Sequence, residues 1–312
     1  MENKEKNFIS SVIYVHNAQN RLEEFLGTII SVMEDNFEHS EIICVNDCSD
    51  DRSVDVIKKC SENVTTTGVT IVNMSYFHGL ELAMAAGMDL SIGDFVFEFD
   101  NTIMDFDTEM IMKVYRHSLE GFDIVSASPD KREKFTSRLF YSVFDRFSDI
   151  SYELTTESFR ILSRRVINRI SSMNKTIPYR KALYANSGLK TDNLKYRVRE
   201  DATSNTDKRE KKYRSGLAAD ALILFTELGY SFSRSMTVLM MFISVFVLAY
   251  SVIIYVTAHP VAGWTTTILF LSVAFFGLFG ILTVIIKYLQ LLVNLVFKRK
   301  HYNYESIEKL PK

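Results

Sequence analysis

Short apolar runs alternate with segments of helical periodicity between residues 7 and 200. Phe8–Val15, Glu41–Val45, Val69–Val72, Asp94–Phe99 and Asp123–Ala127 read as strands. Between them, Leu22, Phe25, Leu26, Ile29, Ile30 and Met33 recur at helical spacing, which predicts an amphipathic helix over Arg21–Asn36. Ser53–Cys60, Leu80–Ile92 and Asp107–Leu119 carry the same period. Strand–helix alternation predicts an α/β domain with an open, mainly parallel sheet and helices on both faces. In such a sheet, ligands bind beyond the carboxyl ends of the strands.

The pattern changes near residue 235. No Asp, Glu, Lys or Arg occurs from Ser235 to Ile286, although the chain carries 36 Lys+Arg and 38 Asp+Glu in 312 residues. Ser235–Ala258 and Trp264–Ile286 are each long enough to cross a bilayer, and His259-Pro260-Val261-Ala262-Gly263 turns between them. Lys208, Arg209, Lys211, Lys212, Arg214 and Arg234 precede the first span, Lys287, Lys298, Arg299 and Lys300 follow the second, and the turn has neither Lys nor Arg. Both termini are therefore expected on the cytoplasmic side. The charged start, Met1-Glu2-Asn3-Lys4-Glu5-Lys6, is not expected to act as a signal peptide. Leu217–Tyr230 fits a helix lying in the membrane interface, or a core helix of the soluble domain.

The expected domains are residues 1–205 for the α/β domain, 206–234 for the basic cluster and juxtamembrane helix, 235–297 for the hairpin and 298–312 for a cytosolic tail. This organisation excludes a plain soluble enzyme and a polytopic transporter. The net charge of −2 argues against a nucleic-acid partner. Cys44, Cys48 and Cys60 read as reduced cytosolic thiols.

Four constellations carry candidate chemistry. Asn46-Asp47-Cys48-Ser49-Asp50-Asp51-Arg52-Ser53 ends the second strand. Its carboxylates suit a ribose hydroxyl or a base N–H, and it equally reads as a solvated turn with Ser53 capping a helix. Glu98-Phe99-Asp100 ends the fourth strand, and two carboxylates there suit a hard divalent ion or a plain surface strand end. Phe159-Arg160-Ile161-Leu162-Ser163-Arg164 offers a guanidinium to a diphosphate, or charge to a helix surface. Lys211-Lys212-Tyr213-Arg214 offers cations to a lipid headgroup or nucleotide phosphates, or serves as a topogenic flank. No dinucleotide fingerprint or P-loop occurs.

The order of these features resembles the family 2 glycosyltransferases with a GT-A fold, and within them the polyprenyl-phosphate glycosyltransferases. The family's V-I-P-V-Y-N-E is matched by Val12-Ile13-Tyr14-Val15-His16-Asn17-Ala18, and its V-D-D-G-S-T-D-G-T by Val45-Asn46-Asp47-Cys48-Ser49-Asp50-Asp51-Arg52-Ser53. Its N-x-G segment is matched by Phe77-His78-Gly79, ending at Gly87, and its D-A-D by Glu98-Phe99-Asp100. Ser137-Arg138-Leu139-Phe140-Tyr141, Phe159-Arg160-Ile161-Leu162-Ser163-Arg164 and Lys211-Lys212-Tyr213 match later motifs. Ser158 stands where the family often carries Asp.

The resemblance implies a GT-A domain (Rossmann-like, mainly parallel sheet), an interfacial helix and a transmembrane hairpin. The implied reaction moves a sugar from a nucleotide sugar, UDP-sugars favoured, to polyprenyl (undecaprenyl) phosphate, with inversion and with Mg²⁺ or Mn²⁺. Asp100 and Arg160 are the implied catalytic residues, with Asp100 and Glu98 on the metal. Val15, Asn17, Asp47, Ser49, Asp51, Gly79, Glu98 and Phe99 would bind the nucleotide sugar. Arg132, Ser137, Arg138, Lys211, Lys212, Tyr213 and Arg214 would bind the lipid phosphate or diphosphate. The implied location is the bacterial inner membrane with the catalytic domain cytoplasmic, and a homo-oligomer is left open. The alternatives are a transferase that extends a lipid-linked oligosaccharide or surface polysaccharide, and a non-catalytic nucleotide-sugar-binding membrane protein.

Overall fold

A computed structural model describes residues 4–62, 64–130, 156–172, 180–185, 187–199, 228–258, 263–296 and 302–310. The chain divides into two compact units, Met1–Ala221 with Arg299–Lys312, and Leu222–Lys298.

The first unit is built on an eight-stranded sheet. The strands are β1 (Ile9–Val15), β2 (Ser40–Asn46), β3 (Gly68–Met74), β4 (Phe95–Phe99), β5 (Ile124–Pro129), β6 (Phe159–Ser163), β7 (Thr191–Tyr196) and β8 (Tyr304–Lys309), in the order β7-β5-β6-β4-β1-β2-β3-β8. β4, β1, β2 and β3 are parallel neighbours, β6 is antiparallel to both β4 and β5, and β7 is parallel to β5. The carboxyl ends of β1 to β5 and β7 therefore share one edge of the sheet with the start of β6.

All seven residues of β1 are buried, as a strand covered on both faces requires. The cover comes from α1 (Gln19–Asn36), α2 (Ser53–Ser61), α3 (Leu80–Leu90), α4 (Glu109–Leu119), α5 (Arg164–Ser172) and α6 (Arg180–Ala185). One apolar layer joins α1 and α4 to the sheet through Phe25, Ile29, Met33, Ile111 and Tyr115. The other joins α3, α5 and α6 through Ala83, Met84, Val166 and Tyr184. Gly87 permits the close approach of α3, because a Cβ there would lie 2.5 Å from Val12 Cγ1 and 2.6 Å from Val45 Cγ2.

The first five strands and four helices follow the sequence periodicity. Phe159–Ser163, read from sequence only as a cation-bearing segment, is a central antiparallel strand. The segment expected as a C-terminal tail is also different. Tyr304–Lys309 pairs antiparallel with β3 and closes that edge of the sheet.

The second unit is a helical hairpin of α7 (Leu228–Ala258) and α8 (Trp264–Val296). Arg234–Thr257 and Trp264–Leu289 are long and apolar enough to cross a membrane. Phe242, Phe246 and Phe270 are among the large apolar side chains they expose. α7 starts seven residues before the expected span, so Leu228–Tyr230 of the predicted interfacial helix belongs to the same helix as the span. The rest of that prediction lies outside the described residues.

Candidate functional site

The strand-end edge is laced together by its own side chains. Asn17 and Cys48 follow β1 and β2 with φ of 46° and 54°, the two non-glycine residues with positive φ among those described. The left-handed region costs a side-chain-bearing residue roughly 1–2 kcal/mol, so the surrounding bonds must hold it there. They do. Asn17 Oδ1 accepts from the Asp50 amide at 2.9 Å, the Asn17 amide donates to Ser49 Oγ at 3.1 Å, and His16 Nδ1 donates to the Asp47 carbonyl at 2.8 Å. The Val15 carbonyl accepts from the Asp47 amide at 2.9 Å.

Asp47 is fully buried and anchors a third loop. Its carboxylate accepts from the His78 and Gly79 amides, each at 2.8 Å, and from Tyr14 OH at 3.0 Å. Gly79, at φ 83° and ψ 163°, sits in a region open essentially to glycine alone. Asp51 takes the Gln19 amide and both the amide and hydroxyl of Ser53, joining the starts of α1 and α2. Burial alone would raise its pKa, but the bonds from Ser53 and Gln19 bring it below the usual value. Asp47 and Asp51, expected to hold a nucleoside, tie the loops of this edge together. Asp50, between them in the same turn, is its exposed carboxylate.

The acidic pair at the end of β4 is closed by arginines. Arg160 Nη1 and Nη2 donate to Glu98 Oε2 and Asp100 Oδ2, both at 2.7 Å. Arg180 Nη1 and Nη2 donate to Glu98 Oε1 at 2.7 Å and Asp100 Oδ1 at 2.6 Å. Each guanidinium therefore bridges both carboxylates. Arg160 Nε continues to Glu157 at 2.9 Å and Arg180 Nε to Glu81 at 2.8 Å. Tyr184 OH adds a 2.6 Å bond to Glu98 Oε1. Lys181 Nζ lies 3.8 Å from Glu157. Burial would push the Asp100 carboxyl up, but Arg160 and Arg180 beside it hold it well below the carboxylate range.

Sequence reasoning found Glu98, Asp100 and Arg160 and missed Arg180, Tyr184 and Glu157. Glu81 stands two residues after Gly79, within the segment that ends at Gly87. Arg180 is 80 residues from Asp100, and no local pattern links the two.

A divalent ion does not fit this arrangement. Every oxygen of Glu98 and Asp100 accepts a guanidinium N–H. No group of three or more His, Cys, Asp or Glu suited to a metal occurs among the described residues. Phe99 also departs from the expected ligand role. Its ring is buried against Phe25, Phe97, Phe106 and Phe159.

Beyond β4, Ser158 Oγ donates to the Tyr196 phenol at 2.5 Å, and Tyr196 OH donates to Asp105 Oδ1 at 2.8 Å. Burial, with the Asp105 carboxylate adding to it, pushes the phenol above its ordinary pKa. Arg132, Ser137, Arg138, Lys211, Lys212, Tyr213 and Arg214 lie outside the described residues.

Residues 10–172, more than half of the chain, match the family described as Glycosyl transferase family 2. The chain belongs to this family. An uncharacterized glycosyltransferase of Synechocystis is 31% identical over 183 residues, 57% of each chain. An uncharacterized glycosyltransferase of Bacillus subtilis is 26% identical over 83% of this chain and 81% of its own length. A prophage bactoprenol glucosyl transferase homolog of Escherichia coli is 27% identical over 60% of this chain and 62% of its own. The match thus spans less than two thirds of the first and third of these relatives. Among solved structures, a mycobacterial protein superposes with a TM-score of 0.50 at 13% identity, over 70% of this chain and 74% of that one. The family match covers β1 through α5, including Asn17, Asp47, Gly79, Glu98, Asp100 and Arg160.

Proposed function

We propose that this family 2 member is a membrane-bound glycosyltransferase that moves one sugar from a nucleotide sugar, with UDP-sugars favoured, to a polyprenyl phosphate. One observation carries the acceptor reading. The compact unit that contains the family 2 match also contains Tyr304–Lys309, so the apolar hairpin lies in sequence between two parts of one unit. Both ends of the hairpin thus lead to the same domain, as expected of a domain held at one membrane face. The bactoprenol transferase names among the relatives agree with a lipid phosphate acceptor.

In this reading the edge formed by residues 15–17, 46–51 and 76–79 binds the nucleoside, with Asp50 as the carboxylate available to ribose. An acceptor phosphate has its second pKa near 6 and is largely dianionic at neutral pH. It therefore needs no general base. Its oxygen forms the new bond to the anomeric carbon as the bond to the nucleoside diphosphate breaks, with inversion, and the diphosphate leaves with the electron pair. Alignment and neutralisation of the leaving group are then the main demands. Arg132, Arg138 and Lys211–Arg214 are the proposed phosphate partners. No step is routed through a metal, because the arginines hold both carboxylates at the expected site.

A second reading has a specific observation behind it. A hydroxyl acceptor on a lipid-linked oligosaccharide needs a base, and Asp105 Oδ2 lies 3.4 Å from Ser158 Oγ at the same sheet edge.

Full-length protein in nanodiscs, given UDP-sugars or GDP-sugars with undecaprenyl phosphate, separates the readings by mass spectrometry. The expected product is a polyprenyl phosphosugar, formed with chelator present. Transfer only to a preformed lipid-linked glycan moves the assignment to the second reading. Nucleotide binding without transfer to any acceptor makes the protein a non-catalytic binder.

A further inference from the structure

The loop after β3 is held from a direction that the donor reading does not use. Asn303, directly before β8, meets it at three points. Its carbonyl accepts from the Ser75 amide at 3.2 Å and from Ser75 Oγ at 3.0 Å, and its amide donates to His78 Nε2 at 3.1 Å. The other imidazole nitrogen, Nδ1, donates to the Tyr76 carbonyl at 2.6 Å. Since Nε2 accepts and Nδ1 donates, the Asn303 amide selects one tautomer and fixes the ring. Tyr302 OH adds a 2.6 Å bond to Asp89 at the end of α3.

The fixed imidazole carries a second ring. Tyr76 stacks on His78 with centroids 3.9 Å apart and planes 18° apart, yet it remains 54% exposed. One face of the phenol ring is covered by His78, so solvent reaches the other. A lone exposed tyrosine would need no explanation. This one stands on a loop whose His78 and Gly79 amides are locked onto Asp47 at the strand-end edge, on a backing ring that a distant strand holds in place. A rigid planar face with one side open suits a planar aromatic ligand.

We propose that Tyr76 is the nucleobase-stacking platform of the donor site, and that the strand following the apolar hairpin holds it in place through the Asn303 amide and the His78 imidazole. The inference rests on the reading of this edge as the nucleotide site and adds the base subsite to it. It also makes the segment beyond α8 a working part of that site, because the positioning donor is main chain from the far end of the sequence.

The test uses the full chain in detergent, with UDP and GDP as probes in isothermal titration calorimetry. Hydrogen exchange of residues 75–79 is measured alongside. Tyr76→Ala should weaken binding of the nucleotide that the wild type prefers about tenfold, whereas Tyr76→Phe, which keeps the ring, should bind like wild type. Asn303→Pro removes the amide donor and should speed exchange at 76–79 and weaken binding. Asn303→Ala keeps the amide and should change neither. If the proline variant does not fold, His78→Phe retains a backing ring, removes both imidazole hydrogen bonds, and should speed exchange in the same loop. Wild-type affinity in Tyr76→Ala overturns the platform, and unchanged loop exchange in Asn303→Pro, or in His78→Phe where the proline variant does not fold, overturns the pin. If the wild type binds neither nucleotide, the donor reading itself fails and the platform with it, and any accelerated exchange then reports only a structural tie.

Discussion

At the scale of single residues, the main departure from expectation is who partners Glu98 and Asp100. A carboxylate pair at a strand end is equally open to a metal ion or to a cation supplied by the chain, and here two guanidiniums take all four oxygens. Bidentate arginine geometry makes each contact specific as well as strong. Leaving such buried charges unpaired costs about 3–5 kcal/mol. A divalent ion must therefore displace an arginine to bind. Arg180→Met should destabilise the domain and, in the folded fraction, raise Mn²⁺ binding measured by electron paramagnetic resonance, because Asp100 Oδ1 is released and Glu98 Oε1 keeps only the Tyr184 hydroxyl. The added Asp100→Asn substitution should remove that gain. Wild-type Mn²⁺ binding that already depends on Asp100 would show that the arginine clamp yields to metal. The strained backbone at Asn17 and Cys48 belongs to the same scale. It persists because Asn17 and the residues on either side of Cys48 are held by hydrogen bonds, and such outliers concentrate at functional edges.

At the scale of elements, the sheet is tied to its helices by polar clasps as well as by apolar layers. Glu34, on α1, receives the Thr65 and Thr66 amides at 2.7 Å each, with both hydroxyls and the Thr67 amide adding longer bonds. This clasp holds the entry to β3. Burial would raise the Glu34 pKa, but the hydrogen bonds from Thr66 and Thr65 outweigh it and lower the value to about 2. The folded carboxyl thus titrates below its unfolded value of about 4.3. Its contribution is complete above that unfolded value and is lost as pH falls from about 4 towards 2. Glu34→Gln should flatten the fall of thermal stability in this window, and melts from pH 5 to pH 2 followed by circular dichroism check it. An equal slope in both proteins would remove Glu34 from the acid response. β8 acts at the same scale. It covers the β3 edge that would otherwise present unpaired backbone groups to other chains.

At the scale of the whole molecule, a family 2 domain and an apolar hairpin share one continuous chain, and the compact unit that holds the family 2 match gains its last strand, β8, after the hairpin in sequence. The proposed acceptor is a lipid, so phosphate partners are required at headgroup depth. Lys211, Lys212 and Arg214 precede α7 in sequence and carry the required charge. Two negative groups about 4 Å apart repel by roughly 4 kcal/mol at an effective dielectric of 20. Replacing all three by Ala should therefore lower transfer to polyprenyl phosphate strongly while soluble nucleotide binding changes little. Membrane insertion is followed in parallel by carbonate extraction. Normal insertion with full transfer at limiting lipid would make the cluster a topogenic flank only.

The sequence by itself determined the parts whose signal is local. Short apolar runs located β1 to β5 and a 3.6-residue period located α1 to α4, because a strand covered on both faces is apolar along its length and a helix that buries one face repeats at that spacing. The charge-free stretch located both long helices, because its length and lack of charge are themselves the signal. The strand-end acidic turns were legible for the same local reason. Only the tertiary structure decided what those groups do. Phe159–Ser163 became a strand because it pairs with Phe95–Phe99 from more than 60 residues upstream, and β8 because β3 offered an open edge far back in the chain. Asp47 reads in the sequence as a ligand-binding carboxylate, and the fold brings the His78 and Gly79 amides to it; Glu98 and Asp100 read as metal ligands, and the fold closes Arg160 and Arg180 on them. A carboxylate's sequence neighbours announce its charge, but its role depends on which donors the fold delivers to its oxygens, and hydrogen bonds and ion pairs form across space with no period along the chain.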